Sequence, residues 1–305
     1  MRSIQERFRR LTAFNVINGI LVILFTAAFL FPFINIFVTS FSDTVAIAKG
    51  QVVLWPVGFD LQAYKTLLSD GDVLLAYKNN VIYAIGGALI TLTVTTLTAY
   101  PLTFDNLKGK RIITFYFALT MFFSGGLIPS YMVLRQFHML NTMWAIILPG
   151  AVSMWNILIV RTNLKAIPSV LRESAWLDGA SNFTVLFRIV IPLSKPILAT
   201  IALFTIVQQW NSYFYPSIYL ADSSKMPLQV VLRSIIAPDA TTSERSIQAV
   251  LKSYSSSKGE AVNTFGYRES LRAAAMMLSI GPVILAYPIL QKYIVKGLLV
   301  GSIKG

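Results

Sequence analysis

Glu173-Ser174-Ala175-Trp176-Leu177-Asp178-Gly179-Ala180, running on to Ile191-Pro192, lies between two apolar stretches that are each long enough to cross a membrane. The segment carries its own punctuation. Pro168-Ser169 predicts a helix start, because proline ends whatever precedes it and a serine hydroxyl accepts bonds from the first unpaired N–H groups. Glu173 falls near the first turn, where negative charge suits the helix dipole. Gly179 permits the left-handed backbone that closes a helix. Asp178 or Ser181 is placed to cap a second helix through Phe183, Leu186, Phe187 and Val190, which Pro192 and Pro196 end. Ser174 and Ala175 are small enough for another surface to approach. Val170, Leu171, Ser174, Leu177 and Asp178 share one semi-apolar face. Read from the residues alone, the segment is either an amphipathic hairpin on the membrane surface or a docking surface.

The surrounding chain sets the fold class. Of its 305 residues 55% are hydrophobic and 13% charged, about half the roughly 25% charge of a soluble domain. Apolar runs at 16–40, 81–104, 112–134, 143–160, 197–220 and 271–294 approach or exceed the ~20 residues a membrane helix needs. The expectation is an all-α polytopic membrane protein with six transmembrane helices at 16–295. A segment 1–15 precedes it, a tail 296–305 follows, and the longer loops are 164–196 and 221–268. The first run follows Arg2, Arg7, Arg9 and Arg10 but is longer than the ~7–15-residue core of a signal peptide, with no small-x-small site after it, so it reads as a retained span. Lys108, Lys110 and Arg111 in the short loop 105–111, with the basic residues at both ends, put both termini on the inner side. The net charge of +13 is then a topology signal that also suits anionic lipid headgroups. It forms no single basic face for nucleic acid.

Several chemistries are missing from the sequence. There is no cysteine, and the one histidine, His138, sits in the turn 135–142. No Gly-x-x-x-x-Gly-Lys-Ser/Thr occurs, so the chain does not bind ATP by that route; neither His-Glu-x-x-His nor Gly-x-Ser-x-Gly is present. No catalytic residue, metal ligand or cofactor site is expected. The spans carry essentially no ionisable residues away from their ends, which argues against a proton-coupled carrier. Gln208, Gln209, Trp210, Asn211, Tyr213 and Tyr215 crowd the fifth span. Either they line a saccharide path, with Gln209, Trp210 and Asn211 as the candidates, or the amides bond across helices and the aromatics form an interfacial belt. Gly86-Gly87 permits close helix approach. The polar loop 221–268, with its serine-rich stretch at 253–257, reads as a partly mobile connector.

Glu173-Ser174-Ala175-x-x-Asp178-Gly179-Ala180, with Phe187-x-Ile189-x-Ile191-Pro192 and Pro196, resembles the EAA loop of ABC-importer membrane subunits, Ser174 standing where alanine is usual. Trp210-Asn211 resembles a pair in carbohydrate-importer permeases. The tail Lys296-Gly297-Leu298-Leu299-Val300-Gly301-Ser302-Ile303-Lys304-Gly305 is similar to that of the smaller permease subunit of the maltose importer. Phe123-Ser124-Gly125-Gly126-Leu127-Ile128-Pro129-Ser130-Tyr131 resembles the branch for oligosaccharides and uronate-containing saccharides. The resemblance covers essentially the whole chain. It implies a type I permease fold, and a loop in which Glu173, Ser174, Ala175, Asp178, Gly179, Ala180 and Pro192 couple to a cytoplasmic ATPase. It also implies a second homologous permease, two ATPase subunits and an extracytoplasmic solute-binding protein around a chain in the bacterial cytoplasmic membrane. By the same resemblance the tail runs along the ATPase interface. A secondary carrier, or a membrane scaffold using 169–192 to recruit a partner, are the readings from other classes.

Overall fold

The structure, a computed structural model, describes residues 13–236 and 264–302, with side chains only to 284 in the second stretch. The described residues are helical apart from turns and one isolated bridge between Ser42 and Phe59. They divide into two compact units, one of residues 13–69, 234–236 and 264–279 and the other of residues 70–233 and 280–302.

The first unit starts with α1 (Ala13–Ser40), followed by α2 (Thr44–Ala48) and α3 (Gln62–Ser69). From Phe14 the apolar window of α1 has mean hydropathy 2.5 and none of it is buried within the chain. A helix apolar on every side with no protein cover is a membrane span. Asp43 caps α2, its carboxylate accepting from the Val45 and Ala46 N–H groups. Phe41 stacks between Phe59 and Tyr64. Gly266 crosses the Thr44 carbonyl, and the Tyr267 and Thr66 hydroxyls bond at 2.9 Å.

The second unit is organised on α4 (Gly71–Ala99), which continues through a 3-10 turn at Pro101–Thr103. It begins ten residues before the expected 81, because Asp70 caps the helix by accepting from the Asp72 N–H. Around it lie α5 (Lys110–Phe122), α6 (Leu127–Gln136), α7 (Trp144–Ile147), α8 (Met154–Lys165), α9 (Ser169–Leu177), α10 (Asn182–Leu193), α11 (Lys195–Trp210), α12 (Phe214–Tyr219) and α13 (Leu228–Ile236). Small and hydroxylic residues of α4 (Ala84, Gly87, Ala88, Thr91, Thr95) are buried, which lets backbones approach where lipid offers no hydrophobic drive for association. One apolar cluster joins Ala99, Leu102, Ile157, Val160, Leu164, Val185, Leu186, Val190 and Ile201. A second joins Tyr83, Leu134, Ile146, Ile147, Tyr219 and Leu220.

Three of the six runs differ from the expected continuous spans. The run 112–134 is α5 and α6, bent by 119° at Phe123-Ser124-Gly125-Gly126. Gly126 has φ +82°, and there the backbone turns out of the helix. The run 143–160 is broken between Ile147 and Met154, where Pro149 lacks the N–H a helix needs. The run 197–220 stops at Trp210 and resumes at Phe214. In a bilayer such breaks persist only where protein or a water-filled cavity satisfies the freed backbone. Among the described residues α1 and α4 alone are long and apolar enough to span as single helices; α5 with α6, and α10 with α11, qualify as broken pairs. The run 271–294 lies on α14 (Thr264–Ser302), which shares its residues between the two units. The tail expected from 296 therefore continues that helix to Ser302. Residues 253–257 lie outside the described residues.

Candidate functional site

The loop 164–196 folds as two short helices. Pro168, not Ser169, takes the cap position of α9, and no side chain accepts there. The fixed proline φ already suits a helix start, so Ser169 enters the first turn. At the other end Asp178 is the C-cap and Gly179 has φ +80°. The Gly179 N–H donates to the Trp176 carbonyl at 3.0 Å and the Ala180 N–H to the Ala175 carbonyl at 2.9 Å. These two bonds, with Ala175 and Ala180 both tucked against the core, make a Schellman cap. Ser181 caps α10, accepting from the Thr184 N–H at 3.2 Å; of the two candidates, Asp178 and Ser181, the serine does it. Ser181→Ala is expected to cost about 1 kcal/mol, measurable as a lowered Tm of the solubilised chain. Further along, Leu186–Val190 widens into a π turn, and the Ile191 N–H reaches back to the Leu186 carbonyl. Pro192 follows, and α10 meets α11 at 80°.

Helix α9 is held by one face. Arg172 donates to Thr103 Oγ1 at 3.2 Å and lies 5.3 Å over the Phe104 ring, while Trp176 packs on the same ring at 5.8 Å. Arg161 donates to the Leu102 carbonyl at 2.9 Å. Lys110 reaches the Phe104 carbonyl and Asp105, and Lys165 also meets Asp105 at 3.3 Å. Hydrogen bonds from Lys110 first, then Lys165, hold the Asp105 carboxyl below its usual range. Its contribution is therefore present above the ordinary carboxylate pKa of about 4 and is lost only as pH falls through the lowered value. The Asp105 carboxylate therefore stays ionised through the neutral range. The opposite face of α9 has no cover: Val170, Ser174, Asp178 and Glu173 are exposed, and Leu177 is 89% exposed.

The broken helices of the second unit line two half-open cavities. One, of about 570 Å³, is lined by Thr120, Ser153, Trp155, Asn156, Thr205 and Gln208 among others. The other, of about 320 Å³, has Ser130, Pro149, Ser212, Tyr215 and Tyr219. Gly150, Gln208 and Gln209 line both. Among the described residues that line them, neither wall carries a carboxylate, ammonium, guanidinium or imidazole.

A family model described as "Binding-protein-dependent transport system inner membrane component" matches residues 73–300. The chain belongs to this family. It is an ABC-transporter permease, the subunit class that lacks the ATPase and works with an ATPase and a binding protein. The permease is 34% identical to Protein LplC of Bacillus subtilis, over 90% of this chain and 89% of that one. It is 33% identical to the polygalacturonan/rhamnogalacturonan transport system permease protein YtcP of the same organism, covering 93% and 96%. Its fold matches a bacterial ABC transporter involved in import of the acidic polysaccharide alginate, with TM-score 0.84, 32% identity and coverage of 92% and 96%.

Of the three residues expected on a substrate path, the permease places Gln209 in the cavity walls. Trp210 is buried, edge-on to Tyr77 at 5.5 Å, and its carbonyl accepts from Asn80. The Asn211 amide donates to the Val207 carbonyl of its own helix at 2.9 Å. Tyr215 joins a cavity, whereas Tyr213 lies under Arg233, 4.3 Å from its guanidinium carbon. Sequence reasoning missed Asn156, Trp155 and Ser130, which sit on runs with no polar pattern of their own. It also missed the tether of Arg172 to Thr103 and Phe104, since nothing in sequence relates Arg172 to Thr103, 69 positions away.

Proposed function

We propose that the permease forms one half of the translocation path of an ABC importer for an oligosaccharide, with uronate-containing saccharides the favoured class. The uncovered face of α9, with Leu177 at its centre, carries this reading. A helix tethered through Arg172 and Trp176 and bare on its other side suits a protein partner that pushes on it. In the proposal Glu173, Ser174, Ala175, Asp178, Gly179, Ala180 and Pro192 build the element that couples to the ATPase. Two ATPase subunits grip this loop and its counterpart on a second, homologous permease, giving a heterodimeric pore. A solute-binding protein delivers the saccharide from the other side of the membrane, and both termini face the cytoplasm, with 296–305 near the ATPase. Binding of ATP on one side and of loaded binding protein on the other biases the same two-state element. Amides and aromatic rings in the cavity walls, Gln209 among them, suit sugar hydroxyls and pyranose faces; the names of the relatives supply the uronate class.

Co-purification from the native host, followed by uptake into proteoliposomes, tests this. An ATPase, a second permease and a binding protein are expected to come down with the tagged chain, and uptake is expected to need ATP and the binding protein. Uptake by the chain alone without ATP would replace this reading with the secondary carrier. Within the assembled complex, Leu177→Asp is expected to remove about 2 kcal/mol of ATPase affinity, roughly 30-fold. Equal ATPase retention by the Leu177→Asp chain in pull-down would remove Leu177 from the contact.

A further inference from the structure

The two cavities meet at Gly150, Gln208 and Gln209, and the Gln209 side chain is seated there by features on two other helices. On α4, residue 87 is glycine; a Cβ at that position would lie 3.1 Å from Gln209 Cγ and 3.2 Å from its Nε2. A side chain at 87 would therefore press on the glutamine, which would have to give way by a few tenths of an ångström even for alanine. Its amide points to the end of α7, donating to the Ile146 carbonyl at 3.5 Å, where the break after Ile147 leaves terminal carbonyls without helical partners. Gly150, at the same break, would place a Cβ 3.9 Å from Nε2. Gln208, exposed beside it, has no side-chain bond among the described residues.

We infer that Gln209 is the partition between two chambers of the permease's half of the path, and that Gly87 is the positioning residue that lets it stand there. This rests on the permease reading and adds to it the residues that separate the chambers. An amide suits the role: held by one long hydrogen bond, it swings aside at small cost and offers a donor and an acceptor to passing hydroxyls.

Since the chain has no cysteine, single cysteines report without background from it. Ser130→Cys places a thiol in the smaller chamber and Asn156→Cys one in the larger. In vesicles of both orientations carrying the assembled, uptake-competent complex, each is challenged with a membrane-impermeant sulfonated methanethiosulfonate, and modification of this chain is read by mass. The two thiols are expected to react from opposite faces, each at least an order of magnitude faster from its own side. Adding Gln209→Ala is expected to let the reagent reach Asn156→Cys from the face that serves Ser130→Cys. Gly87→Ala is expected to do the same more weakly, with the glutamine itself still present. The inference is overturned if both thiols react equally from one face in the Gln209 parent. It is overturned equally if either Gln209→Ala or Gly87→Ala, in complexes that assemble, leaves the sidedness unchanged; where one variant does not assemble, the other decides. Failure of ATP-dependent uptake in the parent would instead count against the permease reading, so the two failures are distinguishable.

Discussion

Gly179→Val is expected to cut ATP-coupled uptake by more than an order of magnitude while the chain still inserts and folds. Gly179 has φ +80°, a conformation that costs an ordinary L-residue about 1–2 kcal/mol and a β-branched one more, because its branched Cβ crowds the backbone there. A Cβ at 179 meets nothing within 4 Å, so the penalty is purely backbone. To escape it the chain gives up the bonds from Gly179 to Trp176 and from Ala180 to Ala175, and α10 then leaves α9 in a different direction. On the proposed coupling role, α9 and α10 then no longer seat the ATPase, and uptake falls by more than an order of magnitude. Gly179→Asn serves as the control, since asparagine tolerates the left-handed region; it is expected to keep most of the uptake. Uptake at the parental rate by Gly179→Val, in complexes matched for amount, would sink the coupling role of this turn.

The largest loss of stability is expected from Gly266→Val. A Cβ there would lie 1.8 Å from the Thr44 carbonyl oxygen and 2.8 Å from its carbon. Both atoms are backbone, so no side chain can rotate away, and the first turn of α14 has to lift from α2. That separation also breaks the 2.9 Å bond between the Thr66 and Tyr267 hydroxyls and uncovers the buried Tyr267 ring. Overpacking with loss of a buried contact is expected to cost about 3 kcal/mol or more. Thermal unfolding in detergent measures it, and Gly266→Ala is expected to show a smaller loss than valine. An unchanged Tm for the valine variant would mean that the two elements do not meet as closely as described.

The loop 164–196 was the most legible part of the chain because its signals are local. Gly179 as the break and Ser181 as a cap follow from the backbone preferences of single residues, and both hold in the structure. Ser169 misled for a related reason: its cap chemistry is real, but Pro168 fills the position with its own fixed φ. The spans at 112–134, 143–160 and 197–220 show the limit of hydropathy. Averaged over a window, Gly125-Gly126, Pro149 and Ser212 disappear among their apolar neighbours, and a broken helix reads as a whole one. The cavity lining was half legible. Polar residues clustered near 208–215 marked the region, but only packing separates Gln209 in a cavity wall from Trp210 in the core and Asn211 folded back on its helix.

By itself the sequence determined that this chain is helical, belongs in a membrane, carries no Gly-x-x-x-x-Gly-Lys-Ser/Thr phosphate loop and has a structured polar loop. Those properties are sums over local terms: apolar length against bilayer thickness, the missing phosphate loop, and the φ of one glycine. The tertiary structure alone decided which face of α9 is left bare, where the helices break to open cavities, and that Gly87 seats Gln209. Each of these depends on contacts between residues far apart in the chain, Arg172 with Phe104, Gly266 with Thr44, Gly87 with Gln209. Such contacts have no periodicity or spacing to betray them, because close packing matches the shapes of two helices and is not a property of either sequence alone.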